Sequence, residues 1–102
     1  MNINKSYSIQ VLGDQIWDPF TDNIDIQVLF NNGRRYGATL FTLANLESLF
    51  RKSRESGEYA GGLYLWADAM IILKDLSMQT IETTVADLIE NGGLECAFRL
   101  LK

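Results

Sequence analysis

The sequence predicts an α+β fold with a mainly antiparallel sheet, and three observations predict it. Apolar residues alternate at period two in several early segments. They recur at helical spacing in two later segments, each opened by a Ser or Thr suited to capping. Strand runs separated by helices then give the order β-β-β-α-β-β-α plus a short terminal element, with both helices packed on one face of the sheet. The 102 residues are expected to form a single domain, 1–102, around one core.

The first strand is read in residues 5–12, where Tyr7, Ile9 and Val11 alternate with Ser8 and Gln10. Gly13 to Asn23, which holds the chain's one proline, Pro19, breaks the pattern and is expected to be an irregular loop. Ile24, Ile26, Val28 and Phe30 form the second strand, and Arg35 to Leu40 the third. Parity decides the turn between them. A two-residue Asn32-Gly33 loop would set Phe30 against Arg35 and mix apolar with polar faces. A three-residue loop, Asn31-Asn32-Gly33, sets Val28 against Tyr36, Ile26 against Ala38 and Ile24 against Leu40. All six then face one core, with Gly33 at positive φ.

Thr42 caps the first helix, with Phe41 and Leu46 as its hydrophobic staple. Leu43, Leu46, Leu49 and Phe50 give that helix an apolar stripe, and Gly57 stops it. The span Gly61 to Leu73 is unusually apolar and is read as a core hairpin turning at Ala67-Asp68, with Trp66 buried. Ser77 caps the second helix, whose buried stripe is Ile81, Val85, Leu88 and Ile89, with Gly92-Gly93 ending it. For Leu94 to Leu101 the spacing of Leu94, Phe98 and Leu101 favours a short helix over an edge strand.

Composition restricts the chemistry. The chain has no His, so a His-assisted Ser or Cys nucleophile is ruled out, and the commonest metal ligand is missing. The single Cys96, flanked by Leu94, Ala97 and Phe98, is expected to be a buried, inert thiol. Gly61-Gly62 and Gly92-Gly93 lack the following Lys-Ser/Thr of a phosphate loop. No cofactor and no metal are implied, and the protein is read as a non-enzyme. No unbroken apolar run exceeds five residues, too few for a membrane span. The N-terminal residues lack the apolar stretch of a secretory signal, and one cysteine suits a reducing compartment, so a cytoplasmic location is expected.

Net charge is −4 and unevenly spread. The first third carries Asp14, Asp18, Asp22 and Asp25 against Lys5, the middle carries Arg34, Arg35, Arg51, Lys52 and Arg54, and the last half is acidic. An acidic whole argues against nonspecific binding to nucleic acid or anionic membranes and favours a protein partner, a basic one in particular. The partner site expected from the residues is the loop from Gly13 to Asn23. There Trp17 and Phe20 stand among Asp14, Asp18 and Asp22, an aromatic pair with a charged rim. Against this stands a packing role, with Trp17 and Phe20 folded over one end of the core. Two other roles remain open. One is a homodimer paired through Leu12, Leu29 or the terminal element. The other is a small enzyme or ligand-binding fold using carboxylates and Arg, which a cleft holding Asp68 or Asp75 beside an Arg would favour.

Gly62-Leu63-Tyr64-Leu65-Trp66, Met70-Ile71-Ile72, Leu76 and the helix carrying Thr80-Ile81 and Asp87-Leu88-Ile89 resemble those of small acidic bacterial α+β proteins of unknown function, toxin-immunity-like proteins among them. The resemblance spans about the last 40 residues and carries over no catalytic or binding residue.

Overall fold

A computed structural model describes residues 6–13 and 16–101. Strands β1 (Tyr7–Leu12), β2 (Ile24–Phe30) and β3 (Arg35–Phe41) form an antiparallel meander. The β2–β3 register is the one parity demands: Ile24 opposes Leu40, Ile26 opposes Ala38 and Val28 opposes Tyr36. The Phe30 N–H donates to the Arg34 carbonyl at 2.9 Å and the Gly33 N–H to the Phe30 carbonyl at 3.0 Å, closing the three-residue loop. Gly33 sits at φ 91°, a conformation that a residue with a Cβ adopts only at a cost.

The far edge of β3 is shared by two short strands. Strand β4 (Met70–Ile72) runs parallel to its C-terminal half, and β5 (Arg99–Leu101) antiparallel to its N-terminal half. Helix α1 (Leu43–Ser56) links β3 to β4 through α2 (Glu58–Gly62), a left-handed helical turn. Helices α3 (Met78–Glu90) and α4 (Leu94–Ala97) link β4 to β5. The fold is therefore α+β with a mainly antiparallel sheet.

The core lies between the inward phase of the sheet and α3. Ile26, Val28 and Leu40 meet Ile81 and Val85, with Leu73, Leu76, Leu94 and Phe98 closing the ends. Caps stand where the sequence puts them. The Thr42 hydroxyl accepts from Asn45 N–H at 3.2 Å, and the Ser77 hydroxyl from Thr80 N–H at 3.2 Å. Gly57 (φ 86°) returns its N–H to the Ser53 carbonyl and ends α1.

Four expectations need correction. The span from Gly61 to Leu73 is not a core hairpin, since only Met70–Ile72 is strand. Leu63 to Trp66 run consecutively apolar without the alternation that gives a strand one buried face, and Trp66 is 66% exposed. Second, α1 does not bury its leucine–phenylalanine stripe: Leu43 and Phe50 are exposed, while Asn45 and Ser53 are buried. Asn45, Leu49 and Ser53 fall on one i, i+4, i+8 line, so the inward face is rotated from Leu43–Phe50. Consequently only α3, with the short α4, covers the apolar face of the sheet. Third, residues 94–101 form both a helix and a strand rather than a helix alone. Fourth, Cys96 is exposed, because Leu94 and Phe98 are the residues that point inward there.

Candidate functional site at the acidic loop

Residues 16–23 form a structured loop wedged between α1 and the segment entering α3. The Trp17 indole N–H donates to the Leu76 carbonyl at 2.8 Å, and the Leu76 N–H donates back to the Pro19 carbonyl at 2.7 Å. Both backbone groups of a fully buried residue are thus satisfied by the loop. From the other side the Thr42 hydroxyl donates to the Phe20 carbonyl, and Asn45 Nδ2 donates to the Thr21 carbonyl at 2.9 Å. Asn45 Oδ1 accepts from Asn23 Nδ2 at 3.1 Å. This accounts for the rotation of α1. Buried Asn45 is held where a loop carbonyl and a loop amide both reach it, and a buried amide left unpaired would cost about 1–3 kcal/mol.

The acidic residues brace the same loop. Asp18 Oδ1 accepts from the N–H groups of Phe20 (2.8 Å) and Thr21 (2.9 Å), and Asp22 Oδ2 accepts from Asp18 N–H at 2.8 Å. The Phe20 amide, then that of Thr21, hold the Asp18 carboxyl below its ordinary value of 3.8, so it stays ionised at neutral pH. Asp14 lies outside the described residues. Trp17 is half-buried against the core as an anchor, and the loop turns the two aromatics to different tasks.

Phe20 is 60% exposed, and two residues that sequence reasoning did not connect to it stand beside it. Phe20, Leu43, Ala44 and Ile72 line a shallow depression of about 370 Å³, bounded by Lys74. Leu43 is 68% exposed and Ile72 53%. The three come from loop, helix start and strand end, so no periodicity within one element could have joined them. The available signal was Thr42 as a cap, which puts Leu43 in the first turn of α1, next to whatever meets the cap.

On the outer side of the sheet, Arg99 Nη1 pairs with Asp68 Oδ2 at 2.8 Å. A second depression of about 330 Å³ holds this pair together with Asp25 and Thr39, whose hydroxyl donates to the Asp25 carboxylate at 2.5 Å. Asp75, by contrast, accepts from Ser77 N–H at 2.9 Å and serves the start of α3. Among the described residues no group of three or more Cys, Asp or Glu could hold a metal ion, and no helix is long and apolar enough to cross a membrane. Comparison with protein-family models, with curated proteins and with solved structures finds no match.

Proposed function

We propose that this chain is a non-enzymatic protein-binding domain whose partner seats on the apolar surface formed by Phe20, Leu43 and Ile72. The observation that carries the reading is the exposure of these three large side chains around one depression, fed by a loop that is itself rigidly braced. Apolar area removed from water supplies about 25 cal/mol per Å², and a braced loop loses little conformational freedom on binding. The carboxylates of Asp18 and Asp22 on the same loop, with the net charge of −4, suit a partner whose apolar contact residues are flanked by basic ones. A regulatory or immunity-like role, in which a small acidic protein occludes a basic one, is the form of this function that the composition favours. The cytoplasm is the compartment proposed for it.

The test is affinity capture from cells of the source organism, with the wild-type chain and a Phe20→Ala, Leu43→Ala, Ile72→Ala variant as baits. These side chains are exposed, so the variant should retain its thermal midpoint while losing the captured partner. A partner retained equally by both baits would remove the assigned surface. The Asp68–Arg99 pair in its groove supports a second reading, ligand binding by carboxylates and Arg. Both side chains are more than half exposed and already satisfy each other, and such pairs contribute only about 0–1 kcal/mol. The protein-binding reading therefore takes precedence.

A further inference from the structure

A separate cavity of about 350 Å³ opens between the β2–β3 hairpin end and the α3–α4 corner. That volume is within the range of about 300–1,000 Å³ common for small-molecule sites. Its apolar lining includes Phe30, Tyr36, Ile89 and Leu94. The Phe30 and Tyr36 rings meet edge to face, 5.7 Å apart at 84°, which fixes a firm aromatic wall.

Three polar features converge on this apolar recess. Tyr36 is only 5% exposed, yet its hydroxyl makes no hydrogen bond among the described residues. No buried side-chain oxygen or nitrogen is left unpaired there, so that hydroxyl reaches solvent, and the cavity is the opening that Tyr36 lines. Arg34 lines the hairpin side and Glu95 the α4 side, both exposed. Neither is in an ion pair: among the described residues the recorded pair is Arg99 with Asp68. One cavity thus offers a cation, a carboxylate and a hydroxyl whose side chains have no partner among the described residues, around apolar walls. The C-terminal end of α3 lies on the Glu95 side, at Gly92, and its dipole adds negative potential there.

The complement of that arrangement is a zwitterion with an apolar body. We propose that the cavity binds a free α-amino acid with an apolar side chain. Its carboxylate faces Arg34, with the Tyr36 hydroxyl able to donate to it. Its ammonium faces Glu95 and the end of α3. Its side chain lies against Phe30, Tyr36, Ile89 and Leu94. A neutral apolar ligand would leave both charges unused, and an anion alone would meet Glu95 unfavourably. This site is independent of the surface at Phe20, so loss of either leaves the other standing.

The test is a titration of the ¹⁵N-labelled protein with L-phenylalanine, read by amide shifts. The expected result is saturable shifts at Tyr36, Gly92 and Leu94, with a Kd at or below about 1 mM. N-acetyl-L-phenylalanine and L-phenylalaninamide, each lacking one charge, should bind about tenfold more weakly, the loss expected for one charge-assisted contact. Arg34→Ala should abolish the preference for L-phenylalanine over its amide, and Glu95→Gln the preference over the N-acetyl form. Both substitutions are at exposed positions and leave the fold intact. Absence of saturable shifts with L-phenylalanine and with L-leucine would overturn the proposal. So would equal binding of toluene, or shifts confined to residues away from the cavity.

Discussion

Trp17 and Phe20 stand three positions apart in one loop and do opposite work. Trp17 gives its indole N–H to a buried carbonyl, while Phe20 bonds only through its backbone amide and carbonyl and leaves its ring in solvent. Replacing Trp17 with Phe keeps most of the apolar contact and removes the donor to Leu76. A carbonyl stripped of its partner in a buried setting costs about 1–3 kcal/mol. Trp17→Phe should therefore lower the unfolding free energy measured by urea titration by that amount, while Phe20→Ala should change it by less than about 0.5 kcal/mol, as exposed substitutions do. Equal effects of the two substitutions would contradict this division of labour. The sequence named both residues as candidates and left the two roles open. Only the position of the Leu76 carbonyl separates them, and that carbonyl lies 59 residues away in the chain.

At the scale of elements, the three meander strands and the helix caps were legible, while β5 and the linker between α1 and β4 were not. Alternation in β2 and β3 plus one glycine settled a register that the structure reproduces pair for pair. Such signals work because each is local and each wrong choice would bury polar groups. Residues 57–69 carry no equivalent penalty, since their apolar side chains stay largely exposed and no phase is enforced. What shapes the segment instead is the left-handed turn of α2. Tyr59 and Ala60 sit at φ 51° and 56°, with Gly61 at 74°, and the Leu63 N–H donates to the Tyr59 carbonyl at 3.1 Å. Gly62 completes it at φ 88°, where a Cβ would come within 2.9 Å of the Phe50 carbonyl oxygen, so the turn rests on the backbone of α1. Left-handed helical backbone costs an L-residue roughly 1–2 kcal/mol. Ala60 is exposed, so Ala60→Gly removes that strain without losing packing. Glycine gives back about 0.5–1 kcal/mol through the freer unfolded chain. The expected net effect is a stabilisation of about 0.5–1 kcal/mol, seen as a thermal midpoint raised by a few degrees. A lowered midpoint would show that the left-handed turn does not persist in solution.

The whole molecule measures 48 × 25 × 25 Å, longer than one sheet and one covering helix require, and its stability should be divided along that length. The residues of the core cluster come from β2, β3, α3, α4 and their links, with β1 and β4 packed alongside, and none comes from α1 or α2. Helix α1 is held at its start by Thr42 and Asn45, which bond to the loop at Phe20 and Thr21. Beyond that start its one buried residue is Ser53. A helix of this length has little stability alone in water. Its second half can therefore open while the sheet and α3 stay closed, since local unfolding free energies follow buried apolar contact. Amide hydrogen exchange should find the slowest protons in β2, β3 and α3, exchanging only with global unfolding. Amides from about residue 53 through 57, and Leu63 in the turn, should exchange orders of magnitude faster, with a weaker dependence on denaturant. The amides of Leu46 and Asn45, clamped to the loop, should fall between. Protection in the second half of α1 equal to that of β2 would mean that this half belongs to the same cooperative unit as the sheet. The exposed Phe50, Leu63 and Tyr64 would then be buried in solution by contacts the single chain does not make.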